Sequence, residues 1–254
     1  MNKKEFISIL ELDDIGEYSN LYNKLTTSIE RDIPIVTNEF YAPIIWNRLQ
    51  EYFKGIGVSI LVEGGFEDSE RRMIAVNFFD VDWPYEILQI DYNGKFGTLG
   101  HRDFLGAILS LGIKREKIGD LRVKDFSCFV SVHKDVYEYI TSNLTKIGRH
   151  SINIKTIKDL EIVPKVDFEE VNIQVASMRL DAIVASISRK SRNDAMDLIS
   201  NGSVLLNYKE NRNKSTEIKL KSTITIRGIG KFIIEDIVGK TKSDNLKLMV
   251  KKYK

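Results

Sequence analysis

Residues 178–232 restrict the fold of this chain more than any other stretch. They read MRLDAIVASISRKSRNDAMDLISNGSVLLNYKENRNKSTEIKLKSTITIRGIGKF. Leu180, Ile183, Val184 and Ile187 recur at the i, i+3, i+4 and i+7 spacing of one helix face. The basic run Arg189-Lys190-Ser191-Arg192 interrupts that stripe. Ser191 is a good N-cap, and Asp194 three residues on makes a short variant of a capping box. Ala195, Leu198 and Ile199 carry the apolar stripe into a second helix. Asn201-Gly202 ends it, because glycine tolerates the left-handed conformation after a last turn. Val204–Asn207 and Ser222–Arg227 then read as strands, with Gly228 and Gly230 bracketing a tight turn.

Charge is distributed unevenly around this stretch. From Ser177 to Lys254 there are 17 Lys and Arg against 8 Asp and Glu, a net of +9. Residues 1–176 carry 21 against 28, a net of −7. The near-neutral total of 38 against 36 hides this asymmetry. A basic module supplies the counterion release that dominates nucleic-acid affinity. A cation cluster alone fits a solvated face equally well. Together with two short helices meeting at a basic turn, it points to RNA.

A length of 254 residues allows one to three domains. The apolar share of 43% and charged share of 29% are those of a soluble globular protein. No run approaches 18 apolar residues, so no transmembrane helix is expected. Phe6–Leu10 is apolar but is followed at once by Glu11, Asp13 and Asp14, too short for a signal-peptide core. The one cysteine, Cys128, has no internal partner for a disulfide, which fits a cytoplasmic location.

Along the chain, residues 1–83 read as an N-terminal α/β unit. Ser19–Arg31 is predicted helical, and Thr37 or Asn38 is predicted to cap a helix running to about Lys54 with Pro43 in its first turn. Val58–Val62 and Arg72–Phe78 are predicted strands of a hairpin with a long polar loop. Residues 84–164 read as a central unit. A strand at Ile87–Ile90 precedes a helix at Thr98–Gly112. After the basic link Ile113–Asp120 come strands at Leu121–Lys124 and Phe126–Val132 and a helix at Asp135–Ile147. Ile152–Ile154 and Leu160–Val163 add β segments. The order βαββαβ implies a ferredoxin-like, RNA-recognition-like sandwich. The aromatic signature of RNA-recognition modules is missing, and Phe126 and Phe129 fall on opposite faces of one predicted strand. Residues 165–176 read as a linker, in which alternating Val171, Ile173 and Val175 allow an added strand. Residues 177–254 form the basic module. The fold class is therefore α+β.

Two histidine–aspartate pairs, His101/Asp103 and His133/Asp135, each stand at the head of a predicted helix. Their spacing is not that of a metal site, and Cys128 does not complete one. Capping by Asp103 or a neighbour, and phosphate or protein contact by His101 and Arg102 at a helix N-terminus, is the better reading. No GxxxxGK(S/T) or GxGxxG loop is present, and no metal or cofactor is expected.

The basic module resembles the S4-type RNA-binding domain. The matching residues are Arg179-Leu180-Asp181, Ser191-Arg192, Ala195, Leu198-Ile199, Gly202, Val204, Asn207 and Arg227-Gly228-x-Gly230-Lys231-Phe232. Lys221-Ser222 replaces the Gly-Asp that the family usually carries before its penultimate strand. His101-Arg102-Asp103-Phe104-Leu105-Gly106-Ala107, Gly112-Ile113-Lys114-Arg115-Glu116-x-Ile118-Gly119-Asp120, and Gly64-Gly65-Phe66 with Glu70-Arg71 are similar to the YlmH family. That resemblance implies an RNA-binding protein of the bacterial cytoplasm, and the chain is read as non-enzymatic and monomeric. Its implied partners are ribosomal RNA and tRNA on the large ribosomal subunit, in quality control of stalled peptidyl-tRNA, with a link to cell division. Pseudouridine synthases combine an S4-type domain with a catalytic Arg-Leu-Asp. Here that motif lies inside the S4-type match, with 73 residues after Asp181 and no room for a synthase domain. The expected RNA-binding residues are Arg179, Arg189, Lys190, Ser191 and Arg192, with Lys231 bordering them and His101 and Arg102 in the central unit. Two other readings stand beside this one: a scaffold that holds protein partners through its acidic first two-thirds, and an RNA-modifying enzyme with an unrecognised catalytic unit.

Overall fold

The chain begins with a helix that its sequence pattern did not announce. In α1 (Lys3–Leu10), Asn2 Oδ1 accepts from Glu5 N at 3.0 Å and Glu5 returns a bond from Asn2 N, closing a reciprocal cap. Phe6 and Leu10 are buried against α2 (Ser19–Arg31) and α3 (Pro43–Phe53). The third helix starts at Pro43, later than predicted. The Thr37 hydroxyl caps no helix; it accepts from Ile74 N at 2.9 Å and so ties its loop to a strand. β1 (Ile35–Val36), β2 (Ile60–Glu63) and β3 (Met73–Val76) form an antiparallel sheet of order β1-β3-β2. The computed structural model describes residues 1–12 and 14–253.

The central elements are β4 (Tyr85–Tyr92), α4 (His101–Ser110), β5 (Ile118–Lys124), β6 (Ser127–His133), α5 (Lys134–Asn143), β7 (Lys146–Ile147) and β8 (His150–Ile157). Their order, β5-β6-β4-β8-β7, is all antiparallel and realises the βαββαβ sandwich with one small extra strand. The predicted helix to Ile147 stops at Asn143, because Lys146 and Ile147 pair with Ser151 and His150 across a turn at Gly148. The link predicted at 113–120 gives up Ile118–Asp120 to β5, and Leu160–Val163, predicted as β, is not a strand.

Leu88, Ile90, Val130 and Val132 face α4 and α5 and pack on Phe104, Ile108 and Ile140. The opposite sheet face is covered by the chain's own N-terminal segment. Phe66 packs on Ile87 and Phe129. Ser131 Oγ donates to Gly64 O at 2.8 Å, and the Asp120 carboxylate accepts from Glu70 N at 2.6 Å and Arg71 N at 3.3 Å. Arg122 pairs with Asp68 at 2.9 Å, its guanidinium lying over the Phe66 ring. A methyl group at Gly64 would strike the Arg71 carbonyl and Ser69, and one at Gly119 would strike Ser131 Oγ and the Phe40 ring. Burial raises the Asp120 pKa against the pull of these donors. Residues 1–165 thus make one compact unit.

Residues 166–254 make the other. It contains β9 (Phe168–Val175), α6 (Leu180–Ser188), α7 (Arg192–Ser200), β10 (Val204–Leu206), β11 (Lys209–Glu210), β12 (Thr223–Ile226), β13 (Gly230–Lys240) and β14 (Leu246–Tyr253). The sheet order is β11-β10-β12-β13-β14-β9. Most of the segment read as a linker is β9, paired with β14 from Val175↔Leu246 to Phe168↔Tyr253. Its Ile173 and Val175 join Leu180, Ile183, Val184, Ala195, Ile199 and the inward residues of the other strands in one core. Removing that apolar surface from water fixes both helices on one sheet face.

Candidate nucleic-acid interface

The predicted basic turn is organised by a buried acid. α6 opens at Arg179, whose extended backbone turns the chain so that Asp181 falls in the first helical turn. The Asp181 side chain is 2% exposed. Arg179 grips it with Nε and a terminal nitrogen, both at 3.1 Å, and Arg192 with Nε at 3.2 Å and a terminal nitrogen at 2.9 Å. Hydrogen bonds from Arg179, then from Arg192, lower the Asp181 pKa to about 2, although burial acts the other way. The two arginine side chains stay 41% and 58% exposed. One carboxylate therefore fixes two partly exposed arginines side by side, each keeping a terminal nitrogen that does not bond to Asp181 and can reach a phosphate oxygen.

Between them, α6 ends on Arg189 in the left-handed conformation (φ 54°), and Arg189 and Lys190 are exposed. Ser191 makes the N-cap expected of it, and this occupies the hydroxyl also expected to donate to phosphate. Its Oγ accepts from Asp194 N at 3.1 Å and donates to Asp194 Oδ2 at 2.8 Å, so the hydroxyl closes the α7 cap. Lys231 does not border the turn. Alternation along β13 puts Phe232 in the helix-side core and Lys231 on the other sheet face, its ammonium 4.6 Å from the Tyr208 ring centroid and 4.5 Å from that of Tyr253. Lys252, which pairs with Glu169 at 3.5 Å, lies on the helix side instead. Lys252 and Arg189 both line a cleft of about 740 Å³ floored by Ile229, Phe232 and Val250. The alternation of residues 246–253 puts Lys252 on the same sheet face as Leu248 and Val250, and the pairing of β14 with β9 sets it beside Glu169.

In the central unit, His101 and Arg102 are the first residues of α4 and are exposed. Asp103 caps that helix by accepting from Gly100 N at 2.8 Å. The second pair also caps: His133 Nδ1 accepts from Asp135 N at 3.1 Å, and Asp135 pairs with Lys117 at 2.7 Å. Burial lowers the His133 pKa, which agrees with a neutral ring accepting there. Among the described residues no group of three or more His, Cys, Asp or Glu is placed to hold a metal, and no helix is long and apolar enough to cross a membrane.

A family model described as "Putative RNA-binding domain in YlmH" matches residues 80–161, the central sandwich. The chain is also 32% identical over 205 residues to the Ribosome-associated protein quality control protein P2 of Bacillus subtilis, covering 78% of this chain and 79% of that protein. The chain belongs to the YlmH family. This YlmH-family chain shares its fold with a solved structure, the cell division protein ylmH of Streptococcus pneumoniae. That match has a TM-score of 0.50 at 19% identity and covers 64% of this chain and 94% of the other.

Proposed function

We propose that this chain is a cytoplasmic, monomeric, non-catalytic RNA-binding protein of the ribosome. In this reading its C-terminal unit holds the phosphate backbone of ribosomal RNA or tRNA on the large subunit while a stalled peptidyl-tRNA is dealt with. The observation that carries it is the pair of partly exposed arginines aligned by Asp181, with Arg189 and Lys190 exposed in the turn between them. Arginines already held in place bind phosphate with less loss of side-chain freedom than mobile cations do. Kinship with a ribosome-associated quality-control protein supports the ribosome as the place of action. Both buried aspartates are committed to structure: Asp120 to two backbone N–H groups and Asp181 to two arginines. A link to cell division belongs to the same reading.

Binding of Arg189→Ala/Lys190→Ala to large ribosomal subunits and to tRNA across a salt series tests this. Arg192 is left in place because it holds Asp181. Affinity falls, and the slope of log K against log salt drops by roughly 0.7–0.9 for each phosphate no longer neutralised. Unchanged affinity and slope in the folded double variant would place the RNA-binding surface elsewhere.

A further inference from the structure

The sandwich of residues 85–157 has both sheet faces closed, one by α4 and α5 and the other by Phe66 and the 64–71 loop. What it leaves open is the end where three connections meet: residues 93–100 after β4, the β5–β6 turn at Asp125-Phe126, and the β7–β8 turn at Gly148-Arg149. Tyr92 joins them. Its N–H donates to Phe126 O at 3.0 Å, its hydroxyl accepts from Leu99 N at 2.8 Å, and its ring meets Phe126 and His150 edge-on at 5.5 and 5.0 Å. Phe96 in turn stands edge-on to His150 at 5.6 Å. The 93–100 loop closes on Phe126 because Gly94 has φ +66° and no side chain under the Phe126 ring.

This buried frame holds two large rings out in solvent. Phe96 is 61% exposed and Phe126 50%, whereas Tyr92 and His150 beneath them are buried and His150 Nδ1 has no hydrogen-bond partner. The surroundings are basic although residues 1–165 carry 21 Lys and Arg against 25 Asp and Glu. Lys95, Lys124 and Arg149 are exposed on the three connections and Arg102 follows the first; none has an acidic partner within 4 Å among the described residues. In the chain the two rings are flanked by Asn93, Lys95, Gly97, Thr98 and Asp125 rather than by apolar side chains, which does not make the apolar core of a protein hot spot.

We propose that this loop end is a second RNA-binding surface, separate from the basic turn, that takes unpaired nucleotides: Phe96 and Phe126 stack bases, and Lys95, Lys124 and Arg149 neutralise the phosphates. Exposed aromatic faces interleaved with cations are the arrangement that holds single strands without reading their sequence. The proposal rests on the reading of the chain as RNA-binding but uses residues that reading does not.

The test uses the full chain with a fluorescent oligouridine of about twelve nucleotides carrying 4-thiouridine, enough to span a site of this kind. It is run in the native protein and in Arg189→Ala/Lys190→Ala, so that the two surfaces are told apart. In the double variant, binding persists and crosslinks map to residues 93–102 and 124–127. Adding Phe96→Ala there weakens it about tenfold, and Phe96→Trp does not. Circular dichroism confirms that each variant is folded. The proposal is overturned by crosslinks confined to residues 177–254, by loss of all binding in the double variant, or by a folded Phe96→Ala that binds as before. An effect of Phe96→Ala only on capture of a protein partner would also overturn it.

Discussion

Replacing Asp181 by Asn leaves the shape of the clamp and removes its charge. The size of the effect follows from the pKa. Two arginines lower the Asp181 carboxyl from 3.8 to about 2. The folded protein therefore favours the charged over the protonated form by about 2 kcal/mol more than the unfolded chain does. Asparagine imitates the protonated form, so Asp181→Asn destabilises the unit by about that amount. The side chain is 2% exposed, which leaves little solvent screening to reduce it. The sign of the pH dependence also follows. A folded pKa below the unfolded one gives stability that is present above the unfolded value near 3.8 and is lost as pH falls toward about 2. The native protein loses this contribution across that window, and Asp181→Asn, having none to lose, shows a flatter profile. Hydrogen exchange of the α6 and α7 amides at neutral pH reports the destabilisation within this unit, and urea melts through the acid window report the slope. Protection unchanged to within roughly 0.5 kcal/mol, or equal acid slopes in the two proteins, would show that the arginines are hydrated surface cations and that Asp181 does not hold them.

Three further outcomes follow. Gly64→Ala lowers the stability of the 1–165 unit by about 2–3 kcal/mol, because its methyl group meets the Arg71 carbonyl; a thermal melt reads this, and an unchanged midpoint refutes it. Asp120→Ala removes the acceptor of two backbone N–H groups and costs about 2–4 kcal/mol, seen as faster exchange at Glu70 and Arg71. Tyr92→Phe removes the bond to Leu99 N and costs about 1 kcal/mol, with faster exchange confined to residues 93–100.

Local signals in the chain were enough for the elements whose causes are local. Ser191 with Asp194, Gly202 after α7 and the apolar stripe of α6 each act within a few residues, so the two helices and their turn were legible. The βαββαβ order was legible too, since it needs only the succession of periods. What needed the tertiary structure were pairings across long separations. Residues 168–175 read as a linker because alternation alone does not say whether a partner strand exists; β14, more than 70 residues on, supplies it. Lys231 stands near the turn in family pattern but faces the other way, because strand register sends neighbours to opposite faces. The α1 cap at Asn2 and Glu5 was written in the first residues but too short to stand out, and it is burial of Phe6 and Leu10 that makes it a helix. Phe126 and Phe129 differ in the same way. Sequence put them on opposite faces, but only the 64–71 loop, folding over from a distant segment, decided that Phe129 is sealed under Phe66 while Phe126 is held in water.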